Sequence, residues 1–248
     1  MNDAEKLPFT SHLDELRHRL IVSFIAVGVG FALSYGFKEK LFEILTHPLV
    51  SVMKTGDTLI FTGLPEAFFT YLKVSFLSGL MLAAPVILYQ FWMFIAPGLY
   101  KKERSVLYPI VILSSFFFIG GALFGYFIVF PFGFEFFLSF STEFIKPMPS
   151  MKEYLSFSSK LLIAFGVVFE MPLVITFLAR LGLVSVDFLK KQRKYAILLF
   201  FIGAALLTPP DVVTQILMAL PLMLLYEISI IGAKIFSKKS KSSSDNEA

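Results

Sequence analysis

One carboxylate of this chain stands where acids are costly. Glu170 has nine uncharged residues on each side between Leu161 and Ala179. An ionised acid in such a run costs several kcal/mol in hydrocarbon. Glu170 is therefore either a neutral carboxyl hydrogen-bonded to a neighbouring helix or a ligand or proton site, and the residues leave both open. Glu227 also sits in an apolar run, but close to Lys234, and reads as a structural carboxyl near the surface. Glu15 and Glu103 lie in basic segments. Glu15 can pair with Arg19 one helical turn on, and Glu103 with the cations beside it. Alternatively the two carboxylates accept guanidinium groups of a ligand, because the planar fork of arginine matches a carboxylate as lysine does not. Thr208 and Gln215 flank Pro209-Pro210-Asp211. They either bond to nearby backbone or offer a polar patch to another protein's helix.

Other chemistry lacks its residues. There is no Cys, and His12, His18 and His47 form no i, i+4 pair, so neither thiol chemistry nor a metal site is expected. No nucleophile elbow, phosphate-cradling glycine loop or paired active-site acids occur, so no cofactor and no catalysis are expected either.

The elements that must position these residues are membrane spans. The chain has 248 residues, 56% of them hydrophobic, and only 16% are charged. With a mean hydropathy of +0.77, this is too apolar for a soluble surface. The net charge of +4 comes from cations flanking apolar runs, which excludes nucleic acid as the partner in favour of membrane anchoring. Uncharged runs cover Leu20–Phe37, Val74–Tyr100, Ser105–Phe134 and Tyr195–Pro210, while Leu161–Ala179 and Val212–Ala233 carry one acid each. The reading is an all-α integral membrane protein of six transmembrane helices. The Ser105 run is too long for one straight span.

Fifteen Lys and Arg lie before the first span, in the even-numbered connections and after the last span, against five in the other connections. This places both termini in the cytoplasm. Lys73 and Lys160 lie near outer span ends, where a long stem can reach the headgroups. Ser11 reads as the N-cap of a short amphipathic helix, making residues 1–19 a cytoplasmic segment, 20–233 the transmembrane domain and 234–248 a disordered Lys/Ser tail. The last two helices form a tight hairpin and read as short. Tyr195 to Thr208 would cover about 21 Å of a hydrocarbon layer about 30 Å thick. The connections Lys38–Glu66 and Glu135–Ser156 read as a cap on the outer face.

Four blocks together carry a resemblance. HLDELRHRL at His12–Leu20, APVILYQFWMFIAPGLY at Ala84–Tyr100, FGVVFEMP at Phe165–Pro172 and LTPPD at Leu207–Asp211 resemble, in order, the signature blocks of TatC, the multispanning subunit of the twin-arginine protein translocase. The likeness runs from about Thr10 to Lys234. It implies a receptor in the bacterial cytoplasmic (inner) membrane that binds the twin-arginine signal peptides of folded proteins. It also implies assembly with the single-span partners TatA and TatB and with further copies of itself, and export driven by the proton-motive force. Carried over residue by residue, it puts Glu15, Arg17, Phe94 and Glu103 in the signal-recognition surface, makes Glu170 the intramembrane acid, and assigns Thr208 and Gln215 to partner-helix docking. Ala205 stands where some relatives carry a larger residue. A secondary transporter built on Glu170 should show an internal repeat, and no self-similarity between halves is visible.

Overall fold

In hydrocarbon a backbone must close its own hydrogen bonds, and apolar runs of this length do so as helices. The fold, taken from a computed structural model, is described for residues 7–54, 57–95, 107–142, 146–207 and 212–244. Its helices are α1 Leu7–Tyr35, α2 Lys38–Val50, α3 Glu66–Ile95, α4 Leu107–Phe124, α5 Phe130–Leu138, α6 Met151–Phe169, α7 Met171–Arg180, α8 Val186–Leu207 and α9 Val212–Ser244. A π-helical turn at Gly125–Val129 joins α4 to α5. Among the described residues the one β pairing is a parallel bridge between Ile60 and Ser150. The fold is all-α, and among the described residues five stretches are long and apolar enough to cross a membrane: His12–Tyr35, Glu66–Ile95, Tyr108–Leu138, Met151–Arg180 and Val212–Ile235.

Several boundaries differ from the sequence reading, each for a local reason. Ser11 does not cap a separate helix, because α1 begins at Leu7. Pro8 in the first turn has no N–H to leave unbonded, and no breaker follows before the end of α1. The connection after the first span is half helical, as α2, and the next apolar stretch starts at Glu66, ahead of Val74. The last helix is not short. Its apolar stretch Val212–Ile235 has 24 residues, and α9 continues to Ser244, past Lys234 where disorder was expected, since a nucleated helix propagates readily through lysine. Only α8 is short in apolar length, its first half carrying Lys190, Lys191, Arg193 and Lys194.

The chain divides into two compact units. The first comprises Met1–His47, Leu59–Phe116 and Pro149–Leu155. Within it α1 and α3 run antiparallel and touch backbone to backbone. A Cβ on Gly30 would lie 2.5 Å from the Gly79 carbonyl oxygen, and one on Gly79 would collide with the Phe31 backbone. Ser34 and Ser75, each four residues from one of these glycines, are also buried. This is the small-residue spacing that lets membrane helices approach closely. Nearer the end of α3, the indole of Trp92, 1% exposed, donates to the Ser114 hydroxyl of α4 at 2.9 Å.

At the opposite end of α3 a single carboxylate gathers five donors. Glu66, 8% exposed, accepts at Oε2 from the backbone N–H and hydroxyl of Thr62 and the N–H of Gly63, at 2.7, 3.1 and 3.2 Å. Its Oε1 accepts from the Ser150 hydroxyl at 2.7 Å and the Lys152 N–H at 3.0 Å. Thr62 and Gly63 precede α3, while Ser150 precedes α6 and Lys152 is in its first turn. Glu66 therefore serves the N-termini of two helices, where unpaired N–H groups and the helix dipole both favour an anion. The Ile60–Ser150 bridge lies alongside, with Ile60 N donating to Pro149 O at 3.1 Å and Met151 N to Ile60 O at 2.9 Å.

The second unit comprises Pro48–Thr58, Phe117–Met148 and Ser156–Ala248. Here α4 and α6 interlock through glycines. The space a Gly121 Cβ would take is filled by Phe165 and Phe169, and that of Gly166 by the Phe118 ring. α7, α8 and α9 enclose Ala179, Leu189, Tyr226, Ile230 and Ala233, and the Tyr226 hydroxyl donates to the Leu189 carbonyl at 2.9 Å.

Glu66→Gln keeps the shape of the cap but turns one acceptor into a donor facing donors. We expect it to cost about 1.5–3 kcal/mol, the range for bonds to a charged group, read as thermal unfolding in detergent. Glu153→Gln, an exposed first-turn acid of α6, should cost less than about 1 kcal/mol. Gly79→Leu should destabilise by about 1–3 kcal/mol or more, because backbone is the group that must give way.

Candidate functional site

The antiparallel run of α1 against α3 brings the first turns of one to the last turns of the other. There the His12 ring stacks on Phe94 with centroids 4.5 Å apart and planes 16° from parallel. Arg19 Nε donates to Glu15 Oε1 at 3.0 Å, and Nη2 contacts the same oxygen. Arg19 Nη1 donates to Gln90 Oε1 at 3.2 Å. The i, i+4 spacing puts Glu15 and Arg19 on one helical face, and Gln90 of α3 holds the guanidinium from across the helix pair. Glu15 is therefore a partly buried carboxylate already oriented by an arginine. Arg17 is exposed on the same helix, and Leu13, Leu20 and Phe91 add exposed apolar surface.

The other residues singled out in the sequence fall into separate places. Glu103 and Thr208 lie outside the described residues. Glu170 forms the turn between α6 and α7. The helix breaks there because Pro172, within the first two positions of α7, cannot donate to the carbonyl one turn back and its ring crowds it. Glu170 N donates to Val167 O at 3.1 Å and its carbonyl accepts from Val174 N at 2.9 Å. Its side chain is buried, toward the C-terminal end of the stretch Met151–Arg180 and not at its centre. Glu227 accepts from Arg193 Nη2 at 2.7 Å in a half-exposed ion pair between α8 and α9. Gln215 Nε2 donates to the Phe201 carbonyl at 2.9 Å, tying the same two helices together at their other end.

Sequence reasoning missed Gln90, whose role depends on a helix crossing that no local pattern reveals. It also missed Glu66. For that residue a local signal existed, since Pro65-Glu66, two residues after Gly63, puts a proline and then an acid at a helix start.

Residues 11–221 match the family model for the Sec-independent protein translocase protein TatC. The chain belongs to the TatC family. It is similar to the TatC of Desulforapulum autotrophicum, 68% identical over 246 residues that cover 99% of this chain and 91% of that protein. Against the TatC of Escherichia coli K12 it is 39% identical over 241 residues, 97% of this chain and 93% of that one. A crystal structure described as the twin-arginine translocase receptor TatC superposes with a TM-score of 0.82 at 42% identity, covering 91% of this chain and 99% of that chain. As a TatC, the chain is a component of a protein translocase, a transport protein and not an enzyme. The aligned region takes in Glu15, Arg17, Phe94, Glu103, Glu170, Thr208 and Gln215.

The two ties between α8 and α9 should differ in weight. The Arg193–Glu227 pair is exposed, so Glu227→Gln should change stability by at most about 1 kcal/mol, and by less in high salt. Gln215→Leu removes a partly buried bond and should cost about 0.5–1.5 kcal/mol with little salt dependence. Thermal unfolding at two ionic strengths separates them.

Proposed function

We propose that this chain is the signal receptor and core subunit of a twin-arginine translocase in a bacterial cytoplasmic membrane. On this reading it binds the twin-arginine signal peptides of folded proteins at the face that carries Glu15, Arg17, Phe94 and Glu103. The single observation that carries the reading is the likeness, over nearly the whole fold, to a solved protein described as a twin-arginine translocase receptor. The site supports it chemically. Glu15 already engages one guanidinium, and a carboxylate with two oxygens can share or exchange such a partner. The exposed Leu13, Leu20 and Phe91 beside it suit an apolar stretch following the arginines.

The same reading gives six passes with both termini cytoplasmic. The five long apolar stretches are joined by α8, whose apolar part Ala196–Leu207 covers about 18 Å at the helical rise and so thins the bilayer around it. The excess of Lys and Arg on one set of connections supports this orientation. Residues 1–19 form the cytoplasmic segment, 20–233 the membrane domain and 234–248 the basic tail. Thr208 and Gln215 dock the helices of the single-span subunits TatA and TatB. A side-chain amide has two donors and one acceptor, so the bond to Phe201 uses only part of Gln215. Further copies of the chain join the complex, and the proton-motive force drives export.

Two experiments test this. In a binding series with twin-arginine and twin-lysine signal peptides, Glu15→Gln and Glu103→Gln should each weaken the twin-arginine peptide, the double variant by at least about tenfold, which requires 1.4 kcal/mol. The twin-lysine peptide should bind the unaltered chain poorly and lose less. Unchanged twin-arginine affinity in a folded double variant would remove the carboxylates from the receptor site. For topology, the absence of Cys makes any introduced cysteine unique. Cysteines at Lys54 and Ser150 should label from outside, and those at Lys102 and Lys190 only from inside. External labelling at Lys102 would overturn the orientation.

A further inference from the structure

Lys73 is exposed on α3 beside two exposed phenylalanines. It lies four residues after Phe69 and three before Phe76, so the three share one stripe of α3. Phe69 is 54% and Phe76 53% exposed, and all three fall within a stretch long and apolar enough to cross a membrane. An ammonium on such a stripe is costly unless its stem reaches the headgroup layer or it meets an anion. A cavity of about 320 Å³ opens at this point, lined by Thr62, Glu66, Phe69, Thr70, Lys73 and Lys152 among others. Glu66 is committed elsewhere, its two oxygens accepting from Thr62, Gly63, Ser150 and the Lys152 backbone. Lys73 and Lys152 therefore face the cavity around a carboxylate whose acceptors are already used.

We propose that this cavity binds the phosphate of an anionic phospholipid, with Lys73 and Lys152 as its charge partners and an acyl chain lying along Phe69 and Phe76. Charge complementarity and the adjoining apolar stripe select this occupant. Free phosphate would satisfy the lysines but give the exposed phenylalanines nothing to cover. The proposal requires α3 to cross the membrane and is independent of the receptor reading.

The test uses the full chain purified in detergent, with dioleoylphosphatidylglycerol, dioleoylphosphatidylcholine or inorganic phosphate added. Lipid retention is measured by native mass spectrometry and stabilisation by thermal unfolding. Phosphatidylglycerol should be retained at least about tenfold more tightly than phosphatidylcholine and should raise the unfolding temperature. Lys73→Gln with Lys152→Gln should abolish that preference. Lys73→Arg should keep it, and Lys160→Gln, at an exposed lysine of α6 outside the cavity, should leave it unchanged. Both lysines are exposed, so the variants should fold, and their unfolding without lipid checks this. Equal retention of phosphatidylglycerol by the double variant would overturn the site. So would the same loss from Lys160→Gln, or stabilisation by inorganic phosphate equal to that of the lipid.

Discussion

Five donors from two segments converge on the Glu66 carboxylate, and the helices that begin there depend on it. The first amides of α3 and α6 have no partner within their own helix. At a membrane boundary water is scarce enough that an unmet N–H is expensive. Glu66 meets a first-turn amide of α6 and, on its own side, the Thr62 and Gly63 amides just ahead of α3, so one anion holds together two helix starts that are 84 to 86 residues apart in sequence. The Ile60–Ser150 bridge then closes with only a pair of backbone bonds, because the carboxylate fixes the chain on either side of it. α3 leaves this point as a single helix that reaches Gln90 and Phe94 at its far end, so the geometry of the α1–α3 face starts from a cap some thirty residues away.

Between these two ends, contact is made by removing side chains as much as by packing them. Lipid is as apolar as leucine, so burying leucine between helices gains little, and close backbone approach gains dispersion instead. Gly30 against Gly79 in one unit, and Gly121 and Gly166 against phenylalanines in the other, are variants of that solution. The first is backbone on backbone. The second uses a ring to fill the notch that a missing side chain leaves. The Trp92–Ser114 bond follows the same economy, because a buried indole N–H needs an acceptor that lipid cannot provide.

The sequence disclosed most where the physics is local. Runs of about twenty apolar residues have one structural solution in a bilayer, and the all-α fold follows from them. The i, i+4 spacing of Glu15 and Arg19 allowed a pairing that the structure contains. The closeness of Glu227 to the charged end of its run fitted the exposed partner it has in Arg193. Boundaries were less legible where charge masks a helix. α8 starts at Val186, where the Ser185 hydroxyl accepts from Phe188 N at 3.2 Å, although Lys190 to Lys194 read as a loop. α2 was hidden in the same way, its mixed pattern and Pro48 reading as part of a cap. Long-range partners were not legible at all. Nothing near Gln90 points to Arg19, and nothing near Glu66 points to Ser150, because these pairs exist only once helix crossings are set. At Glu170 the neighbouring Pro172 was in plain view, yet hydropathy alone gave one straight span, since the kink removes no apolar residue.

The Glu15–Arg19–Gln90 arrangement bears on how a carboxylate can serve as a receptor for arginine. A bare acid at a half-apolar surface would have to be stripped of water when a ligand arrives, and much of the Coulomb gain would be lost to that cost. Arg19, whose side chain is 17% exposed, has already displaced part of that water and fixed the carboxylate's orientation. Gln90 in turn restrains Arg19. On the proposed reading an incoming guanidinium exchanges one planar fork for another at a site shaped for it, so the net gain is modest and depends strongly on geometry. A lysine ammonium could supply the charge but not the paired, planar contacts. On that reading such a site would give up raw affinity and gain discrimination between arginine and lysine, the distinction that a receptor for twin-arginine ligands would need.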